Sequence, residues 1–274
     1  RDGVVFTHYS ALPVMFGTMS KAITVGEGKS DLELSYQLGK RLQPEIWAKY
    51  PQFMDYVNDL RFRGKMTYED AHQQVCIQRG HIYRKYETGE LRADGQPGFN
   101  TPTGRVELWS TLFEQFGDDP LPYYIEPQYS PVSTPELMEQ YPYVLTTGAR
   151  HYEFFHSEGR QIPYLRELHP DPTFDINPAD AAAKDIVSGE WCVLENQFGK
   201  CQMRANVSPI VKPGVIQADH GWWFPEEDGN EPHLYGVWRS NINNLAPHFH
   251  VGKMGFGAPF KCLLCDVKKG QVEN

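Results

Sequence analysis

Several groups of residues in this chain carry side chains that can do chemistry. Thr147-Gly148-Ala149-Arg150 follows the apolar run that starts at Tyr143. A glycine at a strand end lets backbone N–H groups approach an anion, and an arginine beside it can fork onto a phosphate or a carbonyl. The same residues also read as an ordinary turn with a surface arginine. His156-Ser157 joins an imidazole to a hydroxyl, which suits amide and phosphate partners, or is a histidine satisfied within its own loop. Asn241 and Asn243 each offer an amide to the polar edge of a ligand, although asparagine is equally at home in turns. Phe260-Lys261 sets a cation that can neutralise a pyrophosphate beside a ring that can cover a planar group, or is a surface lysine next to a buried phenylalanine. Asn177 and Asp180 read mainly as helix caps.

Cys262 and Cys265 form a CxxC pair, with His248 and His250 upstream. Two thiolates and two imidazoles are a full tetrahedral set for zinc, and a zinc-site protein or zinc-dependent hydrolase is one reading. The flanking Leu263, Leu264 and Val267 favour a buried strand, in which free cysteine behaves as a small apolar residue. His220-Gly221-Trp222-Trp223-Phe224-Pro225 is an aromatic loop that reads as a hydrophobic plug, as the lining of a substrate funnel, or as both.

These groups must be positioned by a fold of ordinary composition. At 40% hydrophobic and 22% charged over 274 residues, the chain can bury a real core. No run of about 18 apolar residues is present, so no membrane span is expected. Residues 1–100 carry 13 basic and 12 acidic side chains, a net of +1, and residues 101–274 carry 13 and 23, a net of −10. An acidic second half argues against nucleic-acid binding, while leaving room for an anion held by a few placed cations. Opening on Arg1 without a signal peptide points to processing, truncation or design, and the compartment is left open.

The first 80 residues or so read as largely helical, behind a strand and long loop over 1–28. Ser30 and Glu33 have capping-box spacing ahead of Leu34, Leu38 and Leu42. Pro51 opens a second helix with Phe53, Met54, Val57 and Leu60 on one face, and Thr67 caps a third that runs through Cys76. Residues 88–104 read as a loop. The five prolines between 117 and 135 read as an extended linker and set the domain boundary, giving 1–135 and 136–274. Beyond it come short strands, at 143–147, 191–195, 201–207 and 215–218, with a short helix capped by Asn177-Pro178. Short strands between Gly/Pro turns predict a β-barrel.

Landmarks from about residue 97 to 268 resemble, in order, the C-terminal part of the molybdopterin oxidoreductases related to dimethyl sulfoxide reductase. They are Thr101-Pro102-Thr103-Gly104-Arg105-Val106-Glu107-Leu108, Leu145-Thr146-Thr147-Gly148-Ala149-Arg150, Phe155-His156-Ser157 and Ile176-Asn177-Pro178-Ala179-Asp180-Ala181-Ala182. Pro213-Gly214-Val215, His220-Gly221-Trp222-Trp223, Ser240-Asn241-Ile242-Asn243-Asn244-Leu245 and Phe260-Lys261 follow. Where the family sets arginine directly after glycine, this chain has Ala149.

The resemblance implies an α+β, mainly β fold. A six- or seven-stranded double-psi β-barrel would cap molybdopterin guanine dinucleotide carrying Mo or W, behind a mostly helical segment that ends an α/β domain. It implies cofactor binding by Thr147, Gly148, Arg150, His156, Ser157, Asn241, Asn243, Phe260 and Lys261, with no catalytic residue here. The family's N-terminal cysteine cluster for a [4Fe–4S] centre and its protein ligand to the metal have no counterpart in the sequence. The expected partners are therefore the remaining N-terminal domains of one catalytic subunit and an iron–sulfur electron-transfer subunit, with a role in anaerobic respiration. Alone, the chain is expected to hold no cofactor and to be inactive. A stand-alone binding or assembly module of a split enzyme is the alternative. The odd number and irregular spacing of Cys76, Cys192, Cys201, Cys262 and Cys265 predict five free thiols. Alkylation of the denatured, unreduced chain should label all five, and a mass two hydrogens short per bond would contradict this.

Overall fold

The computed structural model describes residues 3–7, 14–19, 22–23, 26–62, 65–74, 77–79, 83–147, 151–247 and 261–272. The chain forms two compact units, Arg1–Val106 and Glu107–Asn274.

In the first unit, β1 (Gly3–Thr7), β2 (Val14–Met19) and β3 (Ile77–Arg79) make an antiparallel sheet in that order. Where a strand and a long loop were expected over 1–28, two paired strands occur. The helices are α1 (Asp31–Leu42), α2 (Pro44–Trp47), α3 (Phe53–Phe62), α4 (Tyr68–Gln74) and α5 (Lys85–Thr88). Ser30 caps α1, its Oγ accepting from Glu33 N at 3.2 Å. Glu33 does not return the bond to the cap; its carboxylate accepts from Gln37 one turn on. Thr67 and Asp70 form the reciprocal box at α4, at 2.9 and 3.1 Å.

The period expected for α1 is present, but Leu34, Leu38 and Leu42 face solvent, at 46%, 53% and 76% exposure. The face that packs instead carries Tyr36 and Gly39. Tyr36 meets Phe53, Trp47 and Tyr56, with centroids 5.7–6.2 Å apart. A β-carbon on Gly39 would lie 2.0 Å from the Trp47 ring, so only glycine lets that ring lie on α1.

The second unit holds α6 (Thr111–Gln115), α7 (Pro163–Leu168), α8 (Pro178–Ala183) and α9 (Val237–Ser240). Its strands are β4 (Tyr143–Thr147), β5 (Thr173–Ile176), β6 (Trp191–Asn196), β7 (Gly199–Val207), β8 (Val215–Ala218) and β9 (Leu263–Lys269). They close a six-stranded barrel in the order β4-β8-β5-β7-β6-β9, within the six or seven strands expected. β4 with β8 and β5 with β7 are parallel; the other pairs are antiparallel. Inward positions alternate as a half-buried strand demands. They fill the barrel with Leu145, Phe174, Ile176, Leu194, Met203, Ile216, Leu263 and Val267, all at 1% exposure or less.

The proline-rich stretch belongs to the second unit and is no free linker. Tyr129 packs on the barrel core and meets Phe198 at 5.1 Å, and Ser130 bonds Glu126 and Ser133. Asn177 caps α8 as expected, accepting from Ala179 N at 3.0 Å and donating to Val211 O at 2.8 Å. Asp180 accepts from Gly214 N at 2.7 Å, tying α8 to the turn before β8. Among the described residues no helix is long and apolar enough to cross a membrane. Leu145→Ala removes a fully buried side chain from the barrel interior and should cost about 2–5 kcal/mol in urea unfolding, with no such loss for Leu108→Ala on the surface.

Candidate functional site

Strand directions place one set of loops at one end of the barrel. β4 and β8 are parallel and in register at Thr147 and Ala218, so the chain leaves both at the same rim. β9 runs antiparallel to β4, with Leu145 opposite Leu263, which brings Lys261 to that rim. β5 is antiparallel to β8, with Phe174 opposite Ala218, so Thr173 opens β5 there. The β6–β7 hairpin turns at the same end, and Asn196 of that hairpin donates to Leu245 O at 2.9 Å and Leu264 O at 3.2 Å. That pair of bonds holds the 3₁₀ turn Ile242–Leu245 against the rim.

Of the residues expected from sequence, Thr147 and Lys261 meet directly, Lys261 Nζ donating to Thr147 O at 2.6 Å. His156 and Ser157 lie against the aromatic loop after β8. His156 Nδ1 is 3.2 Å from His220 Nε2, and Trp223 Nε1 donates to Ser157 O at 2.6 Å. Asn241 joins the same loop through Trp222 O at 3.2 Å, while its Oδ1 accepts from Asn243 N at 3.0 Å and caps the 3₁₀ turn. The turn chemistry foreseen for Asn241 is therefore present, and Asn243 is exposed beside it. Gly148, Arg150 and Phe260 lie outside the described residues, as do Cys76, His248 and His250.

Beneath this surface is Arg160, which the sequence did not single out. It is 3% exposed, and its guanidinium lies 4.6 Å from the rings of both Phe154 and Trp222. It donates to His156 O at 2.7 Å and His220 O at 3.2 Å, clamping the two loops together. Burial pushes its pKa down to about 10, which leaves it charged near neutrality. Gly221, at φ +66°, has Ser157 Oγ where a β-carbon would come within 2.8 Å.

A second polar group was equally unforeseen. Asp219, directly after β8, is bonded through Oδ1 to His151 Nε2 and through Oδ2 to His169 Nε2 at 2.9 Å. Thr173 adds its backbone N–H at 2.7 Å and its hydroxyl at 3.0 Å to Oδ2. Burial alone would raise the Asp219 carboxyl, but the bonds from His151, His169 and Thr173 outweigh it and hold its pKa well below the usual range. The bond to Asp219 in turn raises His151, against the opposing effect of its burial. The group opens onto a cleft of ≈ 570 Å³ along the outer side of β5, β7 and β8, bordered by Asp175, Arg204, Asn206 and Gln217.

Residues 143–261 match the molydopterin dinucleotide binding domain. The chain is 34% identical over 227 residues to dopamine dehydroxylase of Eggerthella lenta, covering 75% of this chain and 21% of that protein. It is 31% identical over 228 residues to acetylene hydratase of Syntrophotalea acetylenica, covering 82% and 30%. Dimethyl sulfoxide reductase DmsA of Escherichia coli aligns over 89% of this chain at 27% identity. The solved acetylene hydratase from Pelobacter acetylenicus superposes with a TM-score of 0.73 at 26% identity, covering 93% of this chain and 35% of that one. The chain is a portion of a molybdopterin oxidoreductase of the dimethyl sulfoxide reductase family. It spans about a fifth to a third of the length of these curated relatives.

The cofactor of the full-length molybdopterin oxidoreductase is molybdopterin guanine dinucleotide with Mo or W. The donor set at the rim fits such a group in kind: an ammonium, an imidazole, a hydroxyl and an amide for phosphate and pterin edges. The CxxC reading for zinc fares less well. Cys265 is fully buried in the barrel core, where burial pushes its thiol far above the usual range, so it acts as an apolar strand residue. Cys192, Cys201, Cys262 and Cys265 are all free. Arg160→Leu should loosen the rim, costing on the order of 3 kcal/mol for the lost charged hydrogen bonds. Hydrogen exchange should quicken over 151–160 and 219–224 while the strands stay protected. Gly221→Ala should reproduce the effect more weakly.

Proposed function

We propose that this molybdopterin oxidoreductase portion holds and orients the dinucleotide cofactor in the intact enzyme, through Thr147, Gly148, Arg150, His156, Ser157, Asn241, Asn243, Phe260 and Lys261. The observation that carries the reading is the shared rim: residues far apart in sequence, such as Thr147, His156, Asn241 and Lys261, are tied to strand ends and loops at one end of the barrel. Lys261 supplies positive charge for a phosphate in an otherwise acidic half. His156 and Ser157 supply donors on a loop that Arg160 holds in place. Asn241 shapes the turn that presents Asn243. The bound cofactor's metal would supply two-electron or oxygen-atom chemistry; this chain's residues bind and orient, and by themselves catalyse nothing.

In the same reading, 136–274 holds the cofactor with 107–135 packed in the same unit, and Arg1–Val106 ends the domains before it. The remaining N-terminal domains of the catalytic subunit would cover apolar surface that this chain leaves open. In the second unit Leu108, Tyr124 and Ile125 are 82%, 78% and 67% exposed, and in the first unit the outward leucines of α1 are exposed as well. An iron–sulfur subunit is the expected electron-transfer partner, in anaerobic respiration.

The test uses the full-length enzyme. Lys261→Ala removes one charged contact worth about 1.5–3 kcal/mol, roughly a tenfold to hundredfold loss of cofactor affinity. Metal and guanine nucleotide per purified chain should fall, with the melting temperature of the barrel little changed. Asn241→Ala should instead lower the melting temperature through loss of its cap. Full cofactor retention in Lys261→Ala would remove Lys261 from the site.

A further inference from the structure

We propose that His151, His169 and Asp219 form a second metal site, for a divalent first-row transition ion such as zinc or cobalt. Its three residues lie outside the set assigned to the dinucleotide, and the proposal does not depend on the cofactor reading.

The ligand atoms of these three side chains all lie within 4.8 Å of one another. They come from three segments that nothing local brings together: the loop after β4, the loop before β5, and the residue after β8. Two imidazoles and one carboxylate are the donor set that zinc, cobalt and nickel favour. Three protein ligands leave a coordination position open, the pattern of reactive or ligand-exchanging sites and not of closed structural ones. The protein shields one side and the cleft opens the other. The side chains of Asp219 and His169 are 9% and 14% exposed, and that of His151 is 34% exposed.

The carboxylate is oriented in advance. Thr173 N–H and Oγ–H both bond Oδ2, at 2.7 and 3.0 Å, which leaves Oδ1 as the oxygen with fewer partners to give up. Such outer bonds fix a ligating carboxylate and are part of a metal site's affinity. The imidazole rings lie with centroids 4.0 Å apart at 29°, with both Nε2 atoms turned to the same carboxylate. Bonds of about 2.0–2.2 Å set tetrahedral ligand atoms about 3.3–3.6 Å apart. The ring held on Oδ1, that of His151, therefore has to swing back from hydrogen-bond contact to reach that spacing, while all three ligand atoms already lie within 4.8 Å of one another.

Loading balances without an outside reagent. In neutral rings each Nε2–H donates to Asp219. On binding, each ring moves that proton to Nδ1, the Nε2 lone pairs and Oδ1 bond the ion, and water or a small anion takes the remaining position.

The test is made on this 274-residue chain, stripped with a chelator and titrated with Co²⁺. The expected result is saturable binding of one ion per chain, with weak visible bands of nitrogen and oxygen ligation, and displacement by Zn²⁺. His169→Ala should weaken binding roughly tenfold or more while circular dichroism stays native. Asp219→Asn should do likewise, but Asp219 also anchors β5, so His169→Ala decides. No saturable binding at millimolar Co²⁺, or binding unchanged in His169→Ala, would overturn the proposal. So would an intense thiolate charge-transfer band lost in Cys262→Ser, which would give the ion to the cysteines. None of these outcomes bears on cofactor retention by Lys261, so the two readings fail separately.

Discussion

The second unit depends on one pairing. β9 lies between β4 and β6, antiparallel to both, and only that insertion closes the ring. Without it β4 and β6 would each present an open edge, with unpaired backbone groups that a small sheet has no way to satisfy. With it, Leu263, Cys265 and Val267 reach the barrel interior beside Leu145 and Leu194. The same closure carries Lys261 to Thr147.

Above the closed ring, two buried side chains do the positioning. Arg160 holds the loop of His156 to the loop of His220 by their carbonyls, sandwiched by aromatic rings that exclude water from the charge. Asp219 holds the segments of His151, His169 and Thr173 to the end of β8. Arg160 sets two hydrogen bonds and two aromatic rings against the cost of its burial and Asp219 four hydrogen bonds, and both act where loops leave the barrel. Both thus tie loops to the strand ends at the rim proposed to hold the cofactor, where a binding site needs its side chains locked in place.

Much of this fold was legible in the sequence because its signals are local. Short strand-like runs between Gly/Pro turns marked β4, β6, β7 and β8, and Asn177-Pro178 marked the start of α8. β5 escaped because its four residues lie between Pro172 and the Asn177-Pro178 helix start, with the charged Asp175 among them. The face of α1 was misread because periodicity reports that a stripe exists, not which stripe is covered; aromatic packing on Tyr36 decided that. The proline-rich stretch was read as a linker, yet its Tyr129 docks on the barrel, which composition does not reveal. For the site, the ordered landmarks pointed to the rim, while His151, His169 and Asp219 carried no spacing signal. Residues 151 and 219 lie 68 positions apart and meet only because β4 and β8 run parallel. Arg160 was hidden for the same reason: its partners are backbone carbonyls, which leave no trace in residue identity.

The strand that closes the ring is also the last of the six to be synthesised. During translation β4 through β8 emerge with their pairing to β9 unavailable, and hydrophobic positions such as Leu145 and Leu194 stay without their final neighbours. Topologies of such long sequence separation fold slowly, because loop closure precedes the contacts that reward it. The rim proposed to receive the cofactor is built partly from the segment that leads into β9. It therefore cannot exist on the ribosome before that strand is made, and cofactor insertion is a step that follows synthesis of the barrel and does not guide it. A nascent chain of this kind is exposed to misassembly for the whole interval.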